Sequence, residues 1–192
     1  MKDKLILVDC DGVLLDWGYA FDCWMNREGH KVVDSTAYDC AVRYNIDLKD
    51  VKRLIRFFNE SASIGYLPPF RDAMYYIKRL HKKHGYIFHC ITSLSNDPYA
   101  QMLRDSNLKL LFGSTAIEKT IYLDCGAPKN DVLDSYRGTE CYWIEDKAEN
   151  ADVGAERGLN SILMAHDHNR DYVGPAERLG NWEQIYNRII GQ

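Results

Sequence analysis

Short runs of apolar residues recur along the chain, and each run ends in polar or charged side chains. Runs of four to six apolar residues bounded by turn residues indicate buried strands, and continuous apolar runs of this kind are typical of parallel sheets. The first run is Leu5-Ile6-Leu7-Val8, and the later runs cover 86–91, 120–123, 141–144 and 161–164. The pattern therefore predicts five strands of a central sheet.

Between these runs, apolar residues recur at spacings of three and four, which predicts amphipathic helices. The predicted helices cover 14–28, parts of 30–63, 69–84, 98–106, a short segment after Lys129, 148–157 and 182–190. Alternating strands and helices indicate an α/β fold, here a Rossmann-like three-layer sandwich with a central parallel sheet. Because 30–63 has no strand pattern, we expect a small helical cap over 15–67, inserted into a core of 1–14 and 68–192.

Composition narrows the class of protein. The 192 residues are 46% hydrophobic and 27% charged, and no apolar stretch approaches the roughly 18 residues that span a bilayer. The net charge of −4 argues against a nucleic-acid scaffold. Six widely spaced cysteines form no C-x-x-C pair, which argues against a disulfide or zinc framework. We expect a soluble protein of the reducing cytoplasm, without a signal peptide or membrane partner.

Asp9 and Asp11 follow the first strand directly. Side chains alternate along a strand, so both carboxylates can point to the same side at the carboxyl edge of the sheet, where α/β proteins bind ligands. Two carboxylates this close imply a shared proton or a divalent cation. The alternative is an ordinary acidic turn, for which Gly12 would also be suited.

Polar groups also end the later strands. Thr92 and Ser93 follow the second strand, where their hydroxyls can bind a phosphate or cap the next helix. Lys129 opens a helix, a position that favours an anion nearby or reflects simple exposure. Glu145 and Asp146 end the fourth strand as a second acidic pair.

Taken in chain order, these groups form a recognisable set. They resemble the haloacid dehalogenase (HAD) superfamily, whose motifs are Asp-x-Asp at the first strand, Ser or Thr at the second, Lys at a helix start and an acidic pair at the fourth. The resemblance covers residues 4–165. It implies a phosphate-transferring active site at the carboxyl edge of the sheet.

The resemblance implies a role for each catalytic group. Asp9 would attack phosphorus and form an aspartyl-phosphate, and Asp11 would act as general acid and then as general base. A Mg²⁺ ion would be held by Asp9, the Asp11 backbone carbonyl and Asp146.

Further groups would surround these residues. Thr92, with Ser93 as second choice, and Lys129 would bind the phosphoryl oxygens. Glu145 and Asn150 would not bind the metal themselves but would orient its ligands and water through hydrogen bonds. The cap would close over the site and exclude water.

Details outside the four motifs are similar to the 5'(3')-deoxyribonucleotidase branch of the superfamily. They are the segments 9–14, 90–93 and 144–147, an aromatic residue at Trp17, and the loop 168–170 before a helix that contains Trp182. The branch implies that Trp17 packs against a nucleotide, and Phe21 is a further candidate. Glu145 stands where the branch more often has Asp, and the stretch after Ser93 lacks the usual Pro and Lys.

We therefore expect a Mg²⁺-dependent phosphomonoester hydrolase that acts on a small phosphorylated substrate, such as a 5'-deoxyribonucleotide. The alternatives are a nucleic-acid 3'-end phosphatase, a sugar-phosphate phosphatase or mutase, and a non-catalytic protein that binds a phosphorylated ligand. His166 and His168 form a His-x-His pair, but two ligands do not make a zinc site. Their sequence context assigns them no role.

Overall fold

A computed structural model describes residues 4–191 and shows a six-stranded, fully parallel sheet with helices packed around it. The strand order is β3-β2-β1-β4-β5-β6. The strands are β1 (Leu5–Val8), β2 (Ile87–Thr92), β3 (Ile117–Tyr122), β4 (Tyr142–Glu145), β5 (Asn160–Met164) and β6 (Glu177–Leu179). The predicted Rossmann-like α/β fold is confirmed.

Eight α-helices are found in the described residues: α1 (Trp17–Arg27), α2 (Cys40–Tyr44), α3 (Leu48–Asn59), α4 (Ala73–His84), α5 (Pro98–Phe112), α6 (Asn130–Asp134), α7 (Ala148–Glu156) and α8 (Trp182–Ile190). Two 3₁₀ helices cover Ala62–Tyr66 and Asp167–Asn169. Within the described range, no helix is both long enough and apolar enough to cross a membrane.

Strand β1 lies near the middle of the sheet, between β2 and β4, and its register brings their carboxyl ends together. Val8 is aligned with Cys90 of β2 and with Ile144 of β4. The backbone N–H of Asp9 continues the ladder by donating to the Ile144 carbonyl at 2.9 Å. As a result, the polar groups that follow β1, β2 and β4 lie at one edge of the sheet.

No strand interrupts the helices between β1 and α4. Their apolar side chains do not form a core of their own, because Phe21, Phe58 and Ile64 belong to the same buried cluster as Ile6 and Phe88 of the sheet. The 3₁₀ helix Ala62–Tyr66 also packs against α5. The proposed cap is thus joined to the sheet through continuous apolar packing.

The structure differs from several of the predicted elements. The helix predicted from Pro69 begins only at Ala73, because the preceding segment is extended: Phe70 N donates to the Leu14 carbonyl at 2.8 Å. Helix α5 continues to Phe112, past the predicted end at Ser106. Strand β6 was not predicted, since its sequence, Glu-Arg-Leu, has no apolar run.

Candidate active site

Lys129 forms the centre of a buried ion-pair network at the carboxyl edge of β1 and β4. Its ammonium group donates to Asp9 Oδ1 at 2.5 Å and to Glu145 Oε2 at 2.8 Å. Burial alone would lower the pKa of Lys129, but the two carboxylates raise it above its ordinary value. Lys129 therefore remains charged and holds Asp9 and Glu145 together.

Glu145 has both carboxylate oxygens occupied by hydrogen bonds from the protein. Oε1 accepts from the backbone N–H groups of Asp146 and Lys147 at 3.0 and 3.1 Å, and Oε2 accepts from Asn150 Nδ2 at 3.2 Å in addition to Lys129. Burial opposes ionisation of Glu145, but Lys129 and these donors outweigh it, and its pKa is lowered. Glu145 is thus an ionised group that orients Lys129 and the start of α7.

At Asp9 and Asp146, in contrast to Glu145, burial and neighbouring negative charge outweigh the attraction of Lys129, so the pKa of each is raised. Burial and then the negative charge of Glu145 raise the pKa of Asp9 to about 8, although Lys129 opposes the increase. Burial, Glu145 and Asp9 also raise the pKa of Asp146 well above its ordinary value. One lysine does not neutralise three adjacent carboxylates, so the site favours an additional cation or bound protons.

The arrangement of oxygen atoms fits a hard divalent cation. One carboxylate oxygen from each of Asp9, Glu145 and Asp146 lies within 4.8 Å of the others. Oxygen donors of this type suit Mg²⁺. Because the oxygens of Glu145 already accept hydrogen bonds, Asp9 and Asp146 are the carboxylates best able to bind the ion. The predicted pair of side-chain ligands is therefore brought together.

Gly12 allows the turn after β1 to pass close to Asp146. Its φ is +79°, and a Cβ atom added at this position would lie 2.6 Å from Asp146 Oδ2. A side chain at position 12 would thus collide with the carboxylate and strain the backbone. Both the positive φ and the nearby carboxylate therefore favour glycine at this position.

The polar loop after β5 donates hydrogen bonds to the backbone of Gly12 and of Asp146. His166 Nε2 donates to the Gly12 carbonyl at 2.8 Å, and His168 Nε2 donates to the Asp146 carbonyl at 3.1 Å. Asn169 Nδ2 donates to the same Asp146 carbonyl at 2.8 Å. The His-x-His pair thus positions the backbone of the two acidic segments.

Asp11 is directed toward α5 and is not a member of the group of three carboxylates. Arg104 contacts both of its carboxylate oxygens, at 2.7 and 3.4 Å. The Asp11 side chain is 26% exposed, whereas that of Arg104 is fully buried. Asp11 therefore has an accessible carboxylate with a buried cation behind it.

The two candidate hydroxyls lie in different environments. Thr92 is buried at the end of β2, and no side-chain hydrogen bond to its hydroxyl occurs among the described residues. Ser93 Oγ donates to the Ala127 carbonyl at 2.8 Å and so stabilises the loop before Lys129. Thr92 is therefore the better candidate for binding an oxyanion.

The two aromatic candidates differ in exposure. Trp17 is partly exposed, and its indole N–H donates to Asn59 Oδ1 at 2.9 Å. Phe21 is only 1% exposed and stacks on Trp17 with a centroid distance of 4.5 Å. The expectation that Phe21 binds substrate needs correction, because its ring is enclosed by the core and presents no surface to a ligand.

Tyr38 was not identified as a site residue from the sequence. Although 53% of its surface is exposed, the loss of solvent around its hydroxyl and then the charges of Asp146, Glu145 and Asp9 raise its pKa, which keeps the hydroxyl protonated near the carboxylates. Its ring packs against His168 at 4.6 Å. A cavity of about 390 Å³ lies beside it, lined by Tyr38, Lys147, Ala148, Glu149, His168, Asn169, Asp171 and Tyr172.

Comparisons with solved structures identify the fold. An L-2-haloacid dehalogenase from Xanthobacter autotrophicus superimposes with a TM-score of 0.64 at 10% identity, covering 98% of this chain and 99% of that one. A haloacid dehalogenase-like hydrolase from Streptococcus pneumoniae gives 0.63 at 14% identity, with 96% and 98% coverage. CbbY from Rhodobacter sphaeroides, in complex with phosphate, gives 0.60 at 15% identity, with 95% and 96% coverage. The chain has the haloacid dehalogenase fold.

Sequence comparison adds a phage relative. An uncharacterized 32.4 kDa protein of Enterobacteria phage T4 is 25% identical over 196 residues, covering 96% of this chain and 69% of that protein. No family model matches the chain. The predicted HAD-like fold is thus confirmed by structure, while the deoxyribonucleotidase branch stays a prediction.

Proposed function

We propose that this protein is a phosphomonoester hydrolase in which Asp9 carries the phosphoryl group between two displacement steps. The observation that carries this proposal is the network of Lys129 with Asp9 and Glu145, next to Asp146 at the edge of the sheet. A buried carboxylate fixed by one cation, with further positive charge required nearby, suits attack on an anionic phosphate ester.

In the first step, Asp9 attacks phosphorus and forms an O–P bond, while the bond from phosphorus to the ester oxygen breaks. Asp11 gives its proton to the departing oxygen. In the second step, water attacks phosphorus, its proton passes to Asp11, and the bond between Asp9 and phosphorus breaks. The products are the alcohol and phosphate, and both aspartates return to their initial states.

Lys129 and Thr92 supply donors to the phosphoryl oxygens in both steps. A Mg²⁺ ion bound by Asp9 and Asp146 would reduce the repulsion between carboxylates and phosphate. The residues around it keep these ligands aligned: Glu145 accepts from the Asp146 backbone N–H, and His168 and Asn169 donate to the Asp146 carbonyl.

Asp11 favours phosphoryl transfer over dehalogenation. A leaving halide takes no proton, whereas an alkoxide does, so a partly exposed carboxyl two residues after the nucleophile suits an ester. This distinction is needed because dehalogenases share the fold. It predicts turnover of phosphate esters and no release of halide from L-2-chloropropionate.

For the substrate we favour a nucleoside monophosphate. The support is the resemblance to the deoxyribonucleotidase branch and the partial exposure of Trp17, whose ring can stack on a base. Residues 15–67 would form the cap that covers it. Sugar phosphates are the principal alternative, and the net charge of −4 disfavours a nucleic-acid end.

The decisive activity test uses 4-nitrophenyl phosphate with Mg²⁺ and compares the wild type with Asp9→Asn. We expect turnover by the wild type and a loss of about 10⁴-fold or more in the variant, since the amide is a poor nucleophile. Unchanged turnover by Asp9→Asn would rule out covalent transfer through this residue.

The substrate class is tested with a panel of deoxyribonucleoside and ribonucleoside monophosphates and sugar phosphates. We expect the highest kcat/KM for a deoxyribonucleotide, and a larger loss on nucleotides than on sugar phosphates when Trp17 is replaced by leucine. Equal values across the panel would remove the nucleotide assignment and leave the general phosphatase.

A further inference from the structure

Arg104 is a buried cation that contacts the Asp-x-Asp segment from helix α5. Its side chain has no exposed surface. Nη1 donates to Asp11 Oδ1 at 2.7 Å and to Cys10 Sγ at 2.8 Å, and Nη2 lies 3.4 Å from Asp11 Oδ2. One guanidinium thus contacts two successive residues of the turn that contains both aspartates.

The setting of Arg104 makes a purely structural role a poor explanation. The residues one turn away on the same helix face, Ala100 and Leu108, are apolar and buried. Burial of a guanidinium costs several kcal/mol, and replacement of a buried ion pair by apolar side chains is often neutral or stabilising. In addition, Arg104 Nε is buried without a partner among the described residues. A leucine or methionine would fill this space at lower cost.

Arg104 and Asp11 differ in exposure, and this difference suits a catalytic role for Asp11. Arg104 is fully enclosed, whereas Asp11 is 26% exposed, so the cation lies behind the carboxylate and leaves its other side accessible. The short contact fixes Oδ1, and the long contact holds Oδ2 more weakly. Two contacts from a planar fork restrict the rotation of a carboxylate far more than one contact does.

We propose that Arg104 is a positioning residue that fixes the Asp11 carboxyl group where it can exchange a proton with the ester oxygen. The inference rests on the proposed function, because it concerns the proton-transfer group of that reaction. Burial would lower the pKa of Arg104, but the adjacent Asp11 raises it, so the guanidinium keeps its charge. Misplacement of a proton donor by about 1 Å can cost roughly 100-fold in rate.

The test measures kcat/KM for a series of aryl phosphates whose leaving groups differ in pKa. A well-placed donor makes the rate nearly independent of the leaving group, because even a poor one departs as the neutral alcohol. We expect kcat/KM to depend only weakly on the pKa of the leaving group in the wild type (a shallow dependence) and strongly in Asp11→Asn (a steep dependence). The dependence should also be steep in Arg104→Met, where kcat/KM should fall about 100-fold for the poorest leaving group and less than tenfold for the best.

Two further variants separate positioning from folding. Asn107 is also buried on α5 and donates to the Leu67 carbonyl at 2.8 Å, so Asn107→Ala removes a structural contact of the same helix. It should keep the shallow dependence of the wild type. Arg104→Lys retains a single donor group and should give an intermediate slope, which decides the question if Arg104→Met does not fold.

The outcomes distinguish this inference from the proposed function. A wild-type slope in the Arg104 variants, or a loss that is equal across the series, would overturn the positioning role while turnover continues. Wild-type protein that releases no phosphate from any member of the series would overturn the proposed function and the inference together. A slope that steepens in Arg104→Met but not in Asn107→Ala supports the inference.

Discussion

At Gly12 the backbone passes close to the Asp146 carboxylate, and this contact gives a sharp prediction. Gly12→Ala would place a Cβ atom 2.6 Å from Asp146 Oδ2 and should weaken Mg²⁺ binding about tenfold or more, because a ligand must move. Gly126→Ala is the matched control, since Gly126 also has a positive φ, of +73°, but open space around it. Isothermal titration with Mg²⁺ compares the two variants, and equal affinities would contradict the expectation.

The raised pKa values at Asp9 and Asp146 predict that protons compete with Mg²⁺. Between the ordinary carboxyl pKa of 3.8 and the folded value of about 8 at Asp9, the folded state holds a proton that the unfolded chain has released. Without a cation, these groups should therefore reduce stability as pH rises through that window.

Thermal unfolding with and without Mg²⁺ checks this competition. Since binding to ionised ligands releases protons, Mg²⁺ should raise Tm more at about pH 8 than at about pH 5. Asp146→Asn removes one ionisable ligand and should show a smaller response to Mg²⁺ at the higher pH. An Mg²⁺ response that is the same at both pH values would contradict the prediction.

The sequence predicted the groups that follow the strands, because the ends of parallel strands must meet at one edge. It did not predict Arg104, Tyr38 or the contacts of His166, because these residues lie on helices and loops whose placement depends on tertiary packing. A signal for Arg104 was present: a lone arginine four residues from Ala100 and from Leu108, on the apolar face of a helix. An arginine is stable in a core only when an oppositely charged group pairs with it, so this position indicates a buried ion pair or a side chain that turns away from the core.

At the scale of elements, α7 must pack closely on β4, and glycine permits this. A Cβ atom at Gly154 would lie 2.3 Å from the Trp143 ring, so Gly154→Ala should destabilise the protein by about 1–3 kcal/mol through overpacking. Gly18→Ala in α1 meets only Asp16 Oδ1, at 4.0 Å, and should stabilise by up to about 1 kcal/mol through helix propensity. Urea unfolding measures both, and destabilisation of equal size would contradict this explanation.

Element boundaries were predictable where local chemistry determines them. Helix α1 ends before Gly29, which has a φ of +90°, and α4 ends directly before Gly85, with a φ of +74°. The start of α4 was missed because the segment before it pairs with residues 14–16, a contact between distant parts of the chain. Strand β6 was missed for a similar reason, since its edge position requires only main-chain pairing with β5.

At the scale of the whole molecule, the shared core predicts a single unfolding transition. The helices between β1 and α4 contribute Phe21 and Phe58 to the cluster that also contains the sheet residue Ile144, so residues 15–67 should not melt separately. Fluorescence of Trp17 and Trp24, measured in a variant with Trp143 and Trp182 replaced by phenylalanine, should follow the far-UV circular dichroism. An earlier fluorescence transition would indicate an independent cap domain.

Phosphoryl transfer to Asp9 is the central step of the proposed function, and trapping the phosphorylated protein tests it most directly. Acid quenching of the Asp11→Asn variant during turnover, followed by peptide mass spectrometry, should find a phosphoryl group on the peptide that contains Asp9. With 4-nitrophenyl phosphate, whose leaving group departs with little help from an acid, the second step should be slowed more than the first in this variant, because the base that activates water is missing. Phosphate release without phosphorylation of that peptide, together with continued activity in Asp9→Asn, would contradict the account.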